Sequence, residues 1–211
     1  MKRIHAYFYL SVLLVNFVCC VSYTEDSPGE CLYRAMDDMY KREHEKLLIL
    51  VDQLNSQTFS KKELGEALVR AAHYSNLTVV NKLISAGADI DYVGECGDTA
   101  LIQAAAHGKV DIVHELIKKG ANIHHANEFD NTALLEASNI AVVQELINAG
   151  ANINYAGNFG DTVLLKAIKN GKVALVRELL KIPGINVDAD ALECAEDEGG
   201  KMFKLFQRFR K

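Results

Sequence analysis

The sequence has no surplus of positive charge: 23 lysines and arginines face 28 aspartates and glutamates, a formal net charge of −5. Removing residues 1–22 would take away only Lys2 and Arg3 and deepen that to −7. Phosphate backbones are gripped by concentrated positive charge, so nucleic acid is not an expected partner. No GxSxG, GxxxxGKS/T or GxGxxG occurs, so the nucleophile elbow and the common phosphate cradles are missing. No nucleophile has a placed base, no cofactor is expected, and an enzyme is the weakest of the functional readings. Neither CxxC nor HExxH is present, and the seven histidines are scattered. His124 and His125 sit in a strand-like turn where alternate side chains point apart, so no metal site is expected.

Cysteine is equally uninformative as a framework. Of five, Cys19 and Cys20 belong to the N-terminal apolar stretch, leaving Cys31, Cys96 and Cys194, an odd number at wide spacing. Small, partly buried thiols are expected; one disulfide with a leftover thiol is the alternative in an oxidising compartment. A membrane-spanning run is also wanting. Ala6 to Val21 is apolar for 16 residues, short of the roughly 20 that a span needs, and no basic stop-transfer cluster follows. Preceded by Lys2 and Arg3, it reads as an export signal over residues 1–22, cut after Ser22 or after Cys20. An uncleaved anchor and a lipid on Cys19 or Cys20 are the alternatives. The expected location is therefore secreted or periplasmic, with no span in the mature chain.

There are two prolines, Pro28 and Pro183, and both read as helix boundaries. Ser27-Pro28-Gly29-Glu30 has the form of a capped helix start. Leu32, Met36, Met39, Tyr40, Leu47, Leu50, Val51 and Leu54 continue it at helical spacing, so residues 23–58 are expected to be a helical cap. After a loop at 53–58, Ser60 and Glu63 form a second capping box, with Phe59 and Leu64 as its hydrophobic staple.

From there the chain repeats itself. TALIQAAAHGKVDIVHELIKKGANI at 99–123 returns as TALLEASNIAVVQELINAGANI at 132–153 and TVLLKAIKNGKVALVRELL at 162–180, with EALVRAAHYSNLTVVNKLISAGADI at 66–90 as an earlier copy. Gly87 to Gly120 and Thr99 to Thr132 are both 33 residues. Thr can cap exposed amides. The Ala pairs, Ala71 with Ala72 and Ala104 with Ala105, let neighbouring inner helices approach. Ile112, Val113, Leu116 and Ile117 give the second helix an apolar stripe. Gly87, Gly120 and Gly150 end each second helix in a left-handed turn. One such unit cannot bury its own core, so several must stack.

These residues resemble the ankyrin repeat, over about residues 60–198, and more narrowly the exported, bacterial-type ankyrin-repeat chains. The resemblance implies an all-α, right-handed solenoid of about five helix pairs with β-hairpin fingers. Repeats are expected at about 64–93, 94–126, 127–156 and 157–188, with a C-terminal capping repeat over 189–211. The chain departs from the family where Ala100, Ala133 and Val163 replace its Pro, and where Ile102, Leu135 and Leu165 replace its His. Apolar packing must stand in for that His. Thr132 to Gly150 spans 18 residues where Thr99 to Gly120 spans 21, which predicts an irregular third unit. Pro183 should end the second helix of the fourth early. At the end, Met202, Leu205, Phe206 and Phe209 should face inward, with Lys201, Lys204, Arg208, Arg210 and Lys211 outward; contact with a membrane surface or an acidic partner is the alternative use of that helix.

The family binds partner proteins with fingertips and the concave face of its inner helices. Carried to this chain, the resemblance places candidates at Tyr92, Glu95, His125, Glu128, Phe129, Tyr155, Asn158 and Phe159 on the tips. Gln103, Glu136 and Lys166 share one phase on the inner helices. Cys96, Phe129 and Phe159 stand three residues before successive threonines, and such aromatics either anchor a partner or pack between fingers. Asn76-Leu77-Thr78 is a glycosylation sequon that matters only in a eukaryotic secretory pathway. The expected function is a monomeric, exported protein-binding module, effector-like toward a foreign protein. The alternative is a periplasmic or surface resident that protects or scaffolds an envelope protein.

Overall fold

The computed structural model describes residues 59–74, 77–197 and 200–209. The export segment, the N-terminal cap, Cys31 and Asn76 of the sequon lie outside the described residues. The helices there are α1 (Lys61–Tyr74), α2 (Leu77–Ser85), α3 (Ala100–Ala106), α4 (Val110–Lys118), α5 (Ala133–Glu136), α6 (Ile140–Asn148), α7 (Val163–Lys169), α8 (Val173–Leu179), α9 (Ala189–Asp197) and α10 (Gly200–Phe209). They divide into two compact units, one holding residues 59–68 and 78–89 and the other 69–74, 77 and 90–209. No described helix is long and apolar enough to cross a membrane.

In the first unit the capping box closes reciprocally. The Ser60 amide donates to Glu63 Oε2 at 2.8 Å, and the Glu63 amide donates to Ser60 Oγ at 3.2 Å. Phe59 and Leu64, the staple, are both buried, as are Val79, Val80 and Leu83 of α2. α2 ends at a left-handed Gly87 (φ +94°), whose amide donates to the Ile84 carbonyl while Ala88 donates to Leu83. That pair of bonds satisfies the orphan carbonyls of the last turn.

The second unit is a two-layer stack. α3, α5, α7 and α9 lie side by side as inner helices, α4, α6, α8 and α10 as outer ones, and each inner helix packs on the outer helix that follows it. Ala104 and Ala105 are fully buried, so helix axes can come close. Ile102, Leu135 and Leu165, at the family's His position, are buried too, and hydrophobic burial of this kind contributes about 1.5–3 kcal/mol per side chain. Apolar contact thus fills the place of a polar bond. Ala191, Ala195, Met202 and Phe206 close the end of the stack, with Lys204 exposed. α8 ends at Leu179, before Pro183, and Gly184 turns the chain at φ +83°.

The third pair carries the expected irregularity. α5 has four residues where α3 and α7 have seven, and Ala137 leaves the helix at ψ 124°. The bonds of the lost turn are replaced from the side. The Ser138 amide donates to the Ala105 carbonyl at 3.2 Å, and Asn139 Nδ2 donates to the Gly108 carbonyl at 3.2 Å. Asn139 Oδ1 meanwhile caps α6 by accepting from the Val142 amide. Two sequence expectations need adjusting. Thr99 and Thr162 cap α3 and α7, but Thr132 makes no such bond; its backbone angles match those of Thr162, so the loss follows the one-turn helix, not the residue. The fingers are turns instead of paired strands: the described residues contain one isolated bridge, Ala126 with Thr132. In each finger an amide-to-carbonyl bond joins the two arms, Gly94 to Asp98, Asn127 to Asn131 and Gly157 to Asp161. Left-handed residues at Gly97, Asp130 and Gly160 turn the chain inside each of these bonds.

Candidate interaction surface

The three fingertips are bolted to one another by polar groups. Asn127 Oδ1 accepts from the Phe129 and Asn131 amides, each at 3.0 Å, while its Nδ2 donates to Asp98 Oδ1 at 2.7 Å. One side chain therefore shapes its own turn and ties it to the preceding finger. The Glu128 amide donates to the Cys96 carbonyl at 3.1 Å, and His125 Nε2 lies 2.9 Å from the Gly97 carbonyl. In the next step along the stack, Tyr155 donates its hydroxyl to Asp130 Oδ1 at 2.7 Å. That bond to a carboxylate, with some burial, holds the Tyr155 phenol above its ordinary pKa. The Lys169 ammonium is likewise raised, chiefly by its 2.5 Å bond to Asp161 Oδ1.

On this braced support two aromatic rings stand in water. Phe159 is 85% exposed and Phe129 55%. Packing between adjacent fingers, the competing use of these rings, does not describe Phe159. Glu95, Glu128 and Asn158 are exposed beside them, and Tyr92 is half-buried. Cys96, in the same phase as the two phenylalanines, is exposed with φ +57°, and it carries a free thiol, as does half-buried Cys194. Partial burial, expected for both thiols, therefore applies to Cys194 alone.

The candidates on the inner helices are engaged within the fold. Gln103 Nε2 donates to Asp98 Oδ2 at 2.7 Å, and its Oε1 lies 3.0 Å from His73 Nδ1. The His73 and His107 rings meet at a tilt of 56° with centroids 4.0 Å apart. Glu136 accepts from Asn131 Nδ2 at 2.7 Å and from Lys166 Nζ at 2.6 Å. The Glu136 and Lys166 side chains are each about a quarter exposed, so solvent screens the pair and its contribution is about 1 kcal/mol or less. The row is a polar seam joining neighbouring repeats. His125 and Tyr155 serve the same purpose at the tips. Sequence reading did not single out Asp98, Asn127, Asp130, Asn131 or Asp161. A signal existed for three of them, since an Asp or Asn precedes each of Thr99, Thr132 and Thr162.

The geometry is that of a rigid ridged surface: turns held by side-chain bonds, apolar rings at the crest and charged groups between. Residues 68–156 match the family model for ankyrin repeats, as three copies. No curated protein matches the chain.

Proposed function

This chain is an ankyrin-repeat protein, a class built for protein–protein interaction, and from that premise we propose that it is exported and grips its partner protein with Phe129 and Phe159. The observation that carries the reading is the exposure of two rings on fingertips that hydrogen bonds tie to the neighbouring fingers. A large ring presented on a rigid support loses little conformational entropy on docking, and such aromatics dominate interface energetics. Glu95, Glu128 and Asn158 surround the rings with polar groups, the arrangement of an apolar anchor within a wet rim. Ankyrin repeats are typically non-enzymatic binding modules, in keeping with the absence of a placed nucleophile and base in the sequence.

Export rests on the apolar stretch at 6–21 behind Lys2 and Arg3. Fractionation of the tagged full chain tests it: recovery in the cytosol with residues 1–22 intact would defeat the proposal. The partner is then sought by affinity purification from the compartment where the chain is found. A protein from outside the producing cell fits an effector-like role, and an envelope protein fits a resident one.

The Phe129→Ala/Phe159→Ala double variant tests the surface itself. Its affinity for the purified partner should fall at least about tenfold, equivalent to roughly 1.4 kcal/mol, with the melting temperature unchanged. Undiminished affinity would remove the rings from the interface, and a collapse in melting temperature would make them structural.

A further inference from the structure

The three residues missing from the third repeat leave a cleft. Between the end of α3, the shortened α5, α7 and the start of α8 lies a space of about 150 Å³. Its lining is mixed, with apolar Leu135, Ala137, Ala167 and Leu175 beside the polar Glu136 and Lys166 and the exposed Asn170 and Lys172. Had α5 run for seven residues like α3 and α7, its second turn would follow Ala137 at this position. The cleft therefore lies beside the shortened α5, along α7 from Val163 to Asn170.

We propose that this cleft is a second docking site, distinct from the fingertips, which receives an apolar side chain flanked by a carboxylate on a partner polypeptide. Three observations define that occupant. The volume is close to that of engineered apolar cavities that admit a benzene ring, so a phenylalanine or leucine side chain is of suitable size. The charge at the mouth is positive on balance: Glu136 is already paired with Lys166, whereas Lys172 is exposed and has no acidic partner among the described residues. Asn170 adds an amide that can donate to a carboxylate. An acidic group next to the inserted side chain meets an unpaired ammonium, and a basic one meets repulsion.

The test uses the full-length protein and three short capped peptides: acetyl-Glu-Phe-Glu-amide, acetyl-Lys-Phe-Lys-amide and acetyl-Glu-Ala-Glu-amide. Amide shifts in nuclear magnetic resonance spectra report where each binds. The acidic phenylalanine peptide should give saturable shifts at Ala137, Ala167 and Asn170, and the other two should bind at least about fivefold more weakly. Lys172→Glu, an exposed position that leaves the fold intact, should weaken the first peptide by about fivefold, the effect expected of reversing one solvent-screened charge. A second variant restores the lost turn by inserting Ala-His-Gly after Ser138, so that the glycine stands before Asn139 as Gly108 stands before Lys109, and should abolish binding while keeping the helical circular dichroism. Equal binding of the acidic and basic peptides would overturn the proposal, as would absence of saturable shifts at the cleft. Shifts there that grow with protein concentration alone would assign it to a second copy and overturn it too. Binding only around Phe129 and Phe159 would refute the cleft and leave the fingertip surface standing.

Discussion

At single positions, the strength of the fingertips depends on how closely backbone and side chain approach. Gly97 and Gly160 share a left-handed conformation and the same place in their fingers. A Cβ on Gly97 would come within 2.7 Å of the Glu128 amide, whereas one on Gly160 meets nothing within 4 Å. Alanine at Gly160 should cost about 1 kcal/mol, the ordinary strain of a left-handed side chain, and alanine at Gly97 clearly more. Chemical denaturation of the two variants checks this, and equal losses would mean that the contact between fingers contributes nothing. Tyr155→Phe should cost about 1 kcal/mol by removing the bond to Asp130, moderated by partial exposure. The raised Tyr155 phenol and Lys169 ammonium also set a pH dependence. Both pKa values are higher folded than unfolded, so their contribution is complete below pH about 10 and is lost as the pH climbs through the folded values. The melting temperature should fall on that alkaline side, less steeply in Tyr155→Phe.

A helix here is decided by its ends more than by its middle. Thr99 and Thr162 each hold an amide three residues on, and Thr132 does not. Thr99→Ala and Thr162→Ala should each lose about 1 kcal/mol, and Thr132→Ala distinctly less, since it has no cap bond to surrender. Equal losses at all three, measured by denaturation, would show that the hydroxyl acts through something other than capping. The shortened α5 also explains why Ser138 and Asn139 matter beyond their own turn. They reach back 31–33 residues to carbonyls of the preceding repeat, at Ala105 and Gly108, so the irregular repeat is pinned to its neighbour from the side.

Taken as a stack, the second unit needs an end that water can wet. α9 lies against α7 and α10 against α8, and Leu164, Ala167 and Ile168 of α7 are buried. A chain ending at Asp188 would uncover part of that surface. Such a truncation should lower the melting temperature by several degrees and raise light scattering on heating. A truncated protein as stable and soluble as the full chain would show that the terminal pair is no cap. The same logic places binding on the flank that stacking leaves free, since the faces that repeats press together are unavailable to a partner.

Much of this was legible from the residues alone. A 33-residue period, Thr at the start of three inner helices, paired alanines in two repeats and the glycines after the outer helices specify stacked helix pairs, because each is a local requirement of capping, close approach or left-handed turning. The three residues missing from the third repeat, where Ala106, His107 and Gly108 make the turn of the second, likewise announced an irregular repeat by count. Other features wait on tertiary structure. Nothing local says that Glu136 and Lys166, 30 residues apart, spend their charges on each other, that Tyr155 fastens a neighbouring finger, or that Phe159 stands in water while Leu165 is buried. Periodicity tells which side of a helix is greasy. Which polar groups find partners depends on distances across the stack, and those exist only once the repeats have come together.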